Sequence, residues 1–151
     1  MTQSDINAQL NELLILIGRN LLQYLGESWP WVGDDAVALG QSIQQQVQDQ
    51  QEEIAQIVDL LDRRYHPIEF GAFPTEYTSL HYVAIDYLLD QLVAEQQSLV
   101  AEVSRISSGV ANDPEAAGLL REIHQAESRR LEKFQSLVRQ RKSPQNSRAA
   151  S

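Results

Sequence analysis

Residues 113–141 read DPEAAGLLREIHQAESRRLEKFQSLVRQR. The run opens with a strong helix start. Asp113 is placed to cap, Pro114 takes the first helical position, and Glu115 faces the positive end of the helix dipole. Beyond it Leu120, Ile123, Glu127, Leu131, Phe134 and Val138 recur at helical spacing. The stripe is apolar except at Glu127. A carboxylate in an inward row is costly unless it is paired, protonated or bound to a metal. The same exception occurs one helix earlier, where the row runs Leu88, Leu92, Glu95, Leu99, Val103, Ile106.

Working outward, the spacing predicts four long helices and no strand. The first runs from about Asp5 to Leu25 with Ser4 as N-cap, and carries Ile6, Leu10, Leu13, Leu14, Ile17, Leu21, Tyr24 and Leu25 inward. After residues 27–33, Asp34 or Asp35 caps a second helix that reaches about Arg64. Its stripe is Val37, Ile43, Val47, Ile54, Val58 and Leu61, and glutamines crowd its first half without lowering its helix propensity much. Two prolines and a glycine within residues 66–74 end that helix, and Thr75 caps a third running to about Ser107. The fourth ends near Arg141. Residues 142–151 are small, polar and proline-containing and are expected to be disordered. The expected fold is all-α: an antiparallel up-down-up-down four-helix bundle over residues 1–141, with short connections.

Composition narrows the chemistry. With 151 residues the chain can bury one substantial core, and with no cysteine it excludes disulfides, iron–sulfur clusters and thiol catalysis. The N-terminus shows no basic region followed by an apolar run, and Leu13–Ile17 is too short to span a bilayer, so a cytoplasmic protein without membrane insertion is expected. The net charge of −9 is uneven: residues 129–151 sum to +6 and residues 1–128 to −15. The acidic body should repel nucleic acid. The basic run from Arg129 to Lys142 fits the preference for cations near a helix C-terminus, and without interleaved aromatics it predicts no specific nucleic-acid reader.

Four long helices, inward carboxylates on the last two, and the stretch His66-Pro-Ile-Glu-Phe-Gly-Ala-Phe-Pro-Thr-Glu-Tyr-Thr-Ser-Leu-His81 resemble the ferritin-like superfamily. The resemblance covers residues 5–141 and implies a scaffold that in many relatives holds a di-iron or related centre. That centre takes Glu-x-x-His from two helices, a spacing that stacks both ligands on one face. No Glu in this chain has His three residues later; the nearest pattern is reversed, His124-x-x-Glu127.

Depth counting in an antiparallel pair puts Glu95 opposite Glu127 near mid-bundle, level with Arg19 and with Gln44 to Gln48. Three readings follow. In the first, Arg19, Gln44 and Gln48 satisfy Glu95 and Glu127 in a buried polar layer. In the second, the helices are rotated and one or both glutamates are half-exposed. In the third, Glu95, Glu127 and His124 bind a metal, iron or manganese, or zinc with water.

Other candidates are the loop cluster His66, Glu69, Glu76 and His81, and the pair Trp29 and Trp31, which would plug the bundle end or anchor an interface. No phosphate loop, nucleophile elbow or Ser/His/Asp spacing is present. The expected function is a non-catalytic binding or self-association scaffold, a homo-oligomer such as a dimer, without a cofactor. The alternative is a metal-binding protein with oxidase or storage activity.

Overall fold

The computed structural model describes residues 2–28 and 34–142. Within them the chain is all-α. Helix α1 spans Gln3–Gly18, α2 Leu21–Glu27, α3 Asp34–Arg63, α4 Ile85–Gly109 and α5 Pro114–Arg141, and a 3-10 segment covers Thr75–Tyr82. None of the described helices is long and apolar enough to cross a membrane. The expected roles of Trp29, Trp31 and the tail from Ser143 fall outside the described residues, as do the side chains of Asp34, Asp35 and His81.

Local chemistry explains where the elements begin and end. Helix α1 is capped by Thr2 rather than Ser4: Asp5 N–H donates to Thr2 Oγ1 and Thr2 N–H donates back to Asp5 Oδ2, both at 3.1 Å, a reciprocal capping box. The first expected helix is broken in two at Arg19 and Asn20. Gly18 weakens the helix there, and the Asn20 side chain takes the Gln23 N–H at 2.9 Å, starting α2 afresh.

Thr75 does not open an α-helix. The Thr78 and Ser79 hydroxyls donate to the carbonyls of Thr75 and Glu76 three residues back. Residues 75–82 wind as 3-10, and α4 starts only at Ile85. Helix α5 begins as its opening residues dictate, with Ala116 N–H on Asp113 Oδ1 at 3.1 Å. Helix α3 ends in a Schellman motif, His66 N–H to Leu61 O and Tyr65 N–H to Asp62 O, with Tyr65 at φ 55° in the left-handed position usually given to glycine.

Side-chain pairs fix the helix directions. Asn7 meets Arg64 and Gln23 meets Gln50, so α1–α2 runs against α3. Glu12 meets Arg105 and Leu21 meets Glu95, so it also runs against α4. Asp86 meets Arg141 and Gln96 meets Glu127, so α5 runs against α4. Helices α3 and α4 therefore run in the same direction, and the expected up-down-up-down order gives way to up-down-down-up. The cause is the connection. With no α-helix before Ile85, residues 64–84 are long enough to return along α1, where Asn11 holds the backbone of Glu69 and Arg19 the carbonyls of Phe70 and Gly71.

The apolar interior is divided. One cluster gathers Leu10, Leu13, Ile17, Ile57, Leu61, Val103, Ile106, Leu120 and Ile123. The other gathers Leu22, Leu25, Ile43, Val47, Leu88, Leu92 and Phe134. Between their levels lie Asn20, Gln50, Glu53, Gln96, Glu127 and Arg130.

Candidate functional site

The divide between the clusters is a polar layer centred on Glu127, which has no exposed surface. Helix α3 contributes Gln50, whose Nε2 donates to both Glu127 oxygens at 3.1 and 3.2 Å. Helix α4 contributes Gln96, whose Nε2 donates to Glu127 Oε2 at 2.6 Å and to the Glu127 carbonyl at 2.9 Å. One turn along α5, Arg130 Nη1 lies 2.6 Å from Glu127 Oε1 as a charge contact, and Nη2 donates to Glu53 Oε2 at 2.7 Å. Gln23 and Asn20 donate to Gln50 Oε1 at 3.0 and 3.4 Å. This orients the Gln50 amide so that its donor end faces Glu127.

The charge balance explains how such a layer can be buried. Burial pushes the Glu53 carboxyl up to about 9, and its hydrogen bond and charge interaction with Glu127 push the same way. Burial alone would raise Glu127 too. The hydrogen bond with Glu53, the Arg130 charge and the Gln96 and Gln50 amides outweigh it and hold Glu127 below the usual carboxylate range. Burial alone would lower the Arg130 guanidinium, but Glu127 and Glu53 keep it above its ordinary value. At neutral pH the trio is then one anion, one cation and one neutral acid. Glu53 Oε1 is buried with no N–H donor; a proton shared between Glu53 and Glu127 is what lets two carboxyls sit together.

Glu95 lies elsewhere. It is half-buried and faces the α1–α2 break, accepting from the Tyr77 hydroxyl at 2.6 Å and from the Leu21 N–H at 3.2 Å. Burial raises it, while these two donors work in the opposite direction. Burial and then Glu95 push the Tyr77 hydroxyl up, so it remains a donor.

The structure therefore does not bring Glu95 and Glu127 together. Adjacent residues Glu95 and Gln96 point to different partners, and it is Gln96 that reaches Glu127. Arg19 binds the carbonyls of Phe70 and Gly71 and covers the Phe73 ring at 4.8 Å, rather than pairing with either glutamate. Gln44 donates to the Gly26 carbonyl at 3.0 Å, and Gln48 is exposed. His124 faces Ser104 at 3.4 Å. The expected trio Glu95, Glu127 and His124 is not assembled, and no group of three His, Cys, Asp or Glu suited to a metal occurs among the described residues. Of the loop cluster, Glu69 exchanges backbone hydrogen bonds with Asn11.

Glu53, Gln50, Gln96 and Arg130 are the members that sequence reasoning missed. A signal existed. Gln50 falls between Val47 and Ile54, Gln96 between Leu92 and Leu99, and Arg130 between Glu127 and Phe134, each three or four residues from an inward neighbour. The buried row of α5 runs Ile123, Glu127, Arg130, Phe134, Leu137, one position away from the row through Leu131 and Val138.

Outside the layer, a groove of about 450 Å³ opens between α3 and α5, with Glu53 and Arg130 in its lining. Compared with known protein families, with curated proteins and with solved structures, the chain matches none.

Proposed function

We propose that the protein is a non-catalytic four-helix bundle of ferritin-like topology that serves as a binding and self-association scaffold, with the Glu127 layer as a structural element. Two parallel middle helices joined by one long crossover, here residues 64–84, are the arrangement ferritin-like folds use, and this supports the topology. The observation that carries the functional reading is the saturation of Glu127. Its two oxygens take three amide hydrogen bonds from Gln50 and Gln96 and face the Arg130 guanidinium. A divalent cation at that carboxylate would have to displace these donors and sit against a fixed positive charge.

The test uses the full chain purified without added metal. Metal content and the absorbance change on adding Fe(II) in air are measured, and the metal assay is repeated with Mn(II). The expected result is no stoichiometric metal and no oxidase signal. Stoichiometric iron or manganese that is lost in Glu127→Ala would overturn the reading in favour of a metal-binding protein.

A further inference from the structure

At one end of the groove between α3 and α5 the two walls carry opposite charge, and further along, the α5 wall also carries the acidic Glu122. Asp49 and Glu52 line the α3 side, and Arg129 and Lys133 line the α5 side. All four are exposed, and none takes part in an ion pair among the described residues. The other end of the same seam is bridged: Arg63 of α3 reaches Glu115 of α5 at 2.7 Å, held also by Asp59 on its own helix at 3.0 Å. Opposite charges thus face one groove without closing it. Further along the seam, its lining takes in Ala55 and Leu119, and Ala126 lies beside the charged end. These small and apolar residues allow another helix pair to approach closely.

We infer that this α3–α5 face is where two copies of the chain associate, about a two-fold axis running along the groove. The inference rests on the self-association part of the proposed function and names its surface. Symmetry selects the axis. Rotation about the groove direction sets α3 of each copy on α5 of the other at the same height. Asp49 and Glu52 of one copy then meet Arg129 and Lys133 of its partner, and the match occurs twice. A two-fold axis crossing the groove at its charged end instead stacks α3 on α3 and α5 on α5, setting Asp49 and Glu52 against their own copies and Arg129 and Lys133 against theirs. The apolar residues supply the attraction, and the charges set orientation and suppress the wrong pairing.

The experiment is sedimentation equilibrium on the full chain at low and high salt, with the variants Glu52→Lys and Lys133→Glu alone and mixed. The substituted side chains are exposed, and circular dichroism verifies that each variant keeps its helices. A salt-sensitive dimer is expected. Each single reversal should weaken it by about tenfold or more, the equivalent of about 1.4 kcal/mol. An equimolar mixture should restore it, because each reversed charge then meets an opposite one across the axis. Weakening without restoration overturns the two-fold arrangement. A dimer indifferent to both reversals overturns this surface and leaves the scaffold reading standing. A chain that stays monomeric at every concentration overturns the surface and the self-association reading together.

Discussion

Glu53 and Glu127 are chemically the same side chain, yet their surroundings drive them apart. Glu127 has the Gln50 and Gln96 amides, the proton of Glu53 and the adjacent Arg130 charge, and stays ionised. Glu53 has one N–H donor, from Arg130, and a carboxyl neighbour, and keeps its proton. Stability should follow. A group whose folded value is raised contributes fully below its ordinary value of 4.5 and loses that contribution as pH rises through the folded value. The wild-type protein should therefore lose stability progressively from about pH 4.5 towards about 9. In Glu53→Gln the amide N–H can donate to Glu127, and the carbonyl can accept from Arg130, at every pH. Urea midpoints measured across that range should fall with pH in the wild type and stay nearly level in Glu53→Gln, with the variant the more stable at alkaline pH. Parallel curves would sink the shared proton.

What the sequence discloses at this scale depends on whether a residue's partner is local. Glu127 stands out in its own helix because a carboxylate interrupts an apolar row. Glu53 does not, because it sits among Gln51, Glu52 and other polar neighbours, and the residue that buries it is 77 positions away. Arg19 is the only basic residue before Arg63, which in the sequence makes it the natural counter-ion for an inward carboxylate. The crossover's carbonyls, invisible in any helical count, are what it binds.

Among the elements, helix existence follows from periodicity and interruptions do not. Ile17, Leu21 and Leu25 keep a four-residue spacing straight across the break at Arg19 and Asn20, so the apolar pattern reads as one helix. The break is made by hydrogen bonds instead. Asn20 caps the new helix from within, and Glu95 caps the Leu21 N–H from α4. The short α2 then packs closely on α3, where a methyl group added at Gly26 would lie 2.7 Å from Val47 Cγ1. Gly26→Ala should destabilise the protein by about 1–3 kcal/mol through overpacking. Combining it with Val47→Ala should cost less than the two single changes summed, because the second removes the clash made by the first. Strict additivity in thermal or urea unfolding would show that α2 is free to move away from α3.

At the scale of the whole molecule, the layer separates two apolar clusters that would otherwise merge. Apolar stripes alone specify a register weakly, since leucines and isoleucines pack acceptably after a one-turn shift. Three helices are locked at one height because Gln50, Gln96 and Glu127 must meet, and α1–α2 joins through Gln23 and Asn20. Burying charges is expensive, so the layer is expected to cost stability while selecting one arrangement. Replacing the trio together, as Glu53→Leu, Glu127→Leu and Arg130→Met, should raise the unfolding free energy by about 1–4 kcal/mol. The Gln50 and Gln96 amides would then lack their shared acceptor, so the gain should fall at the lower end unless these two are made apolar as well. The same variant should lose uniqueness, seen as broadened or doubled amide resonances and a less cooperative transition. A variant less stable than the wild type would make the layer a net stabiliser. One that is more stable and equally well ordered would show that the apolar rows and the crossover set the register without it.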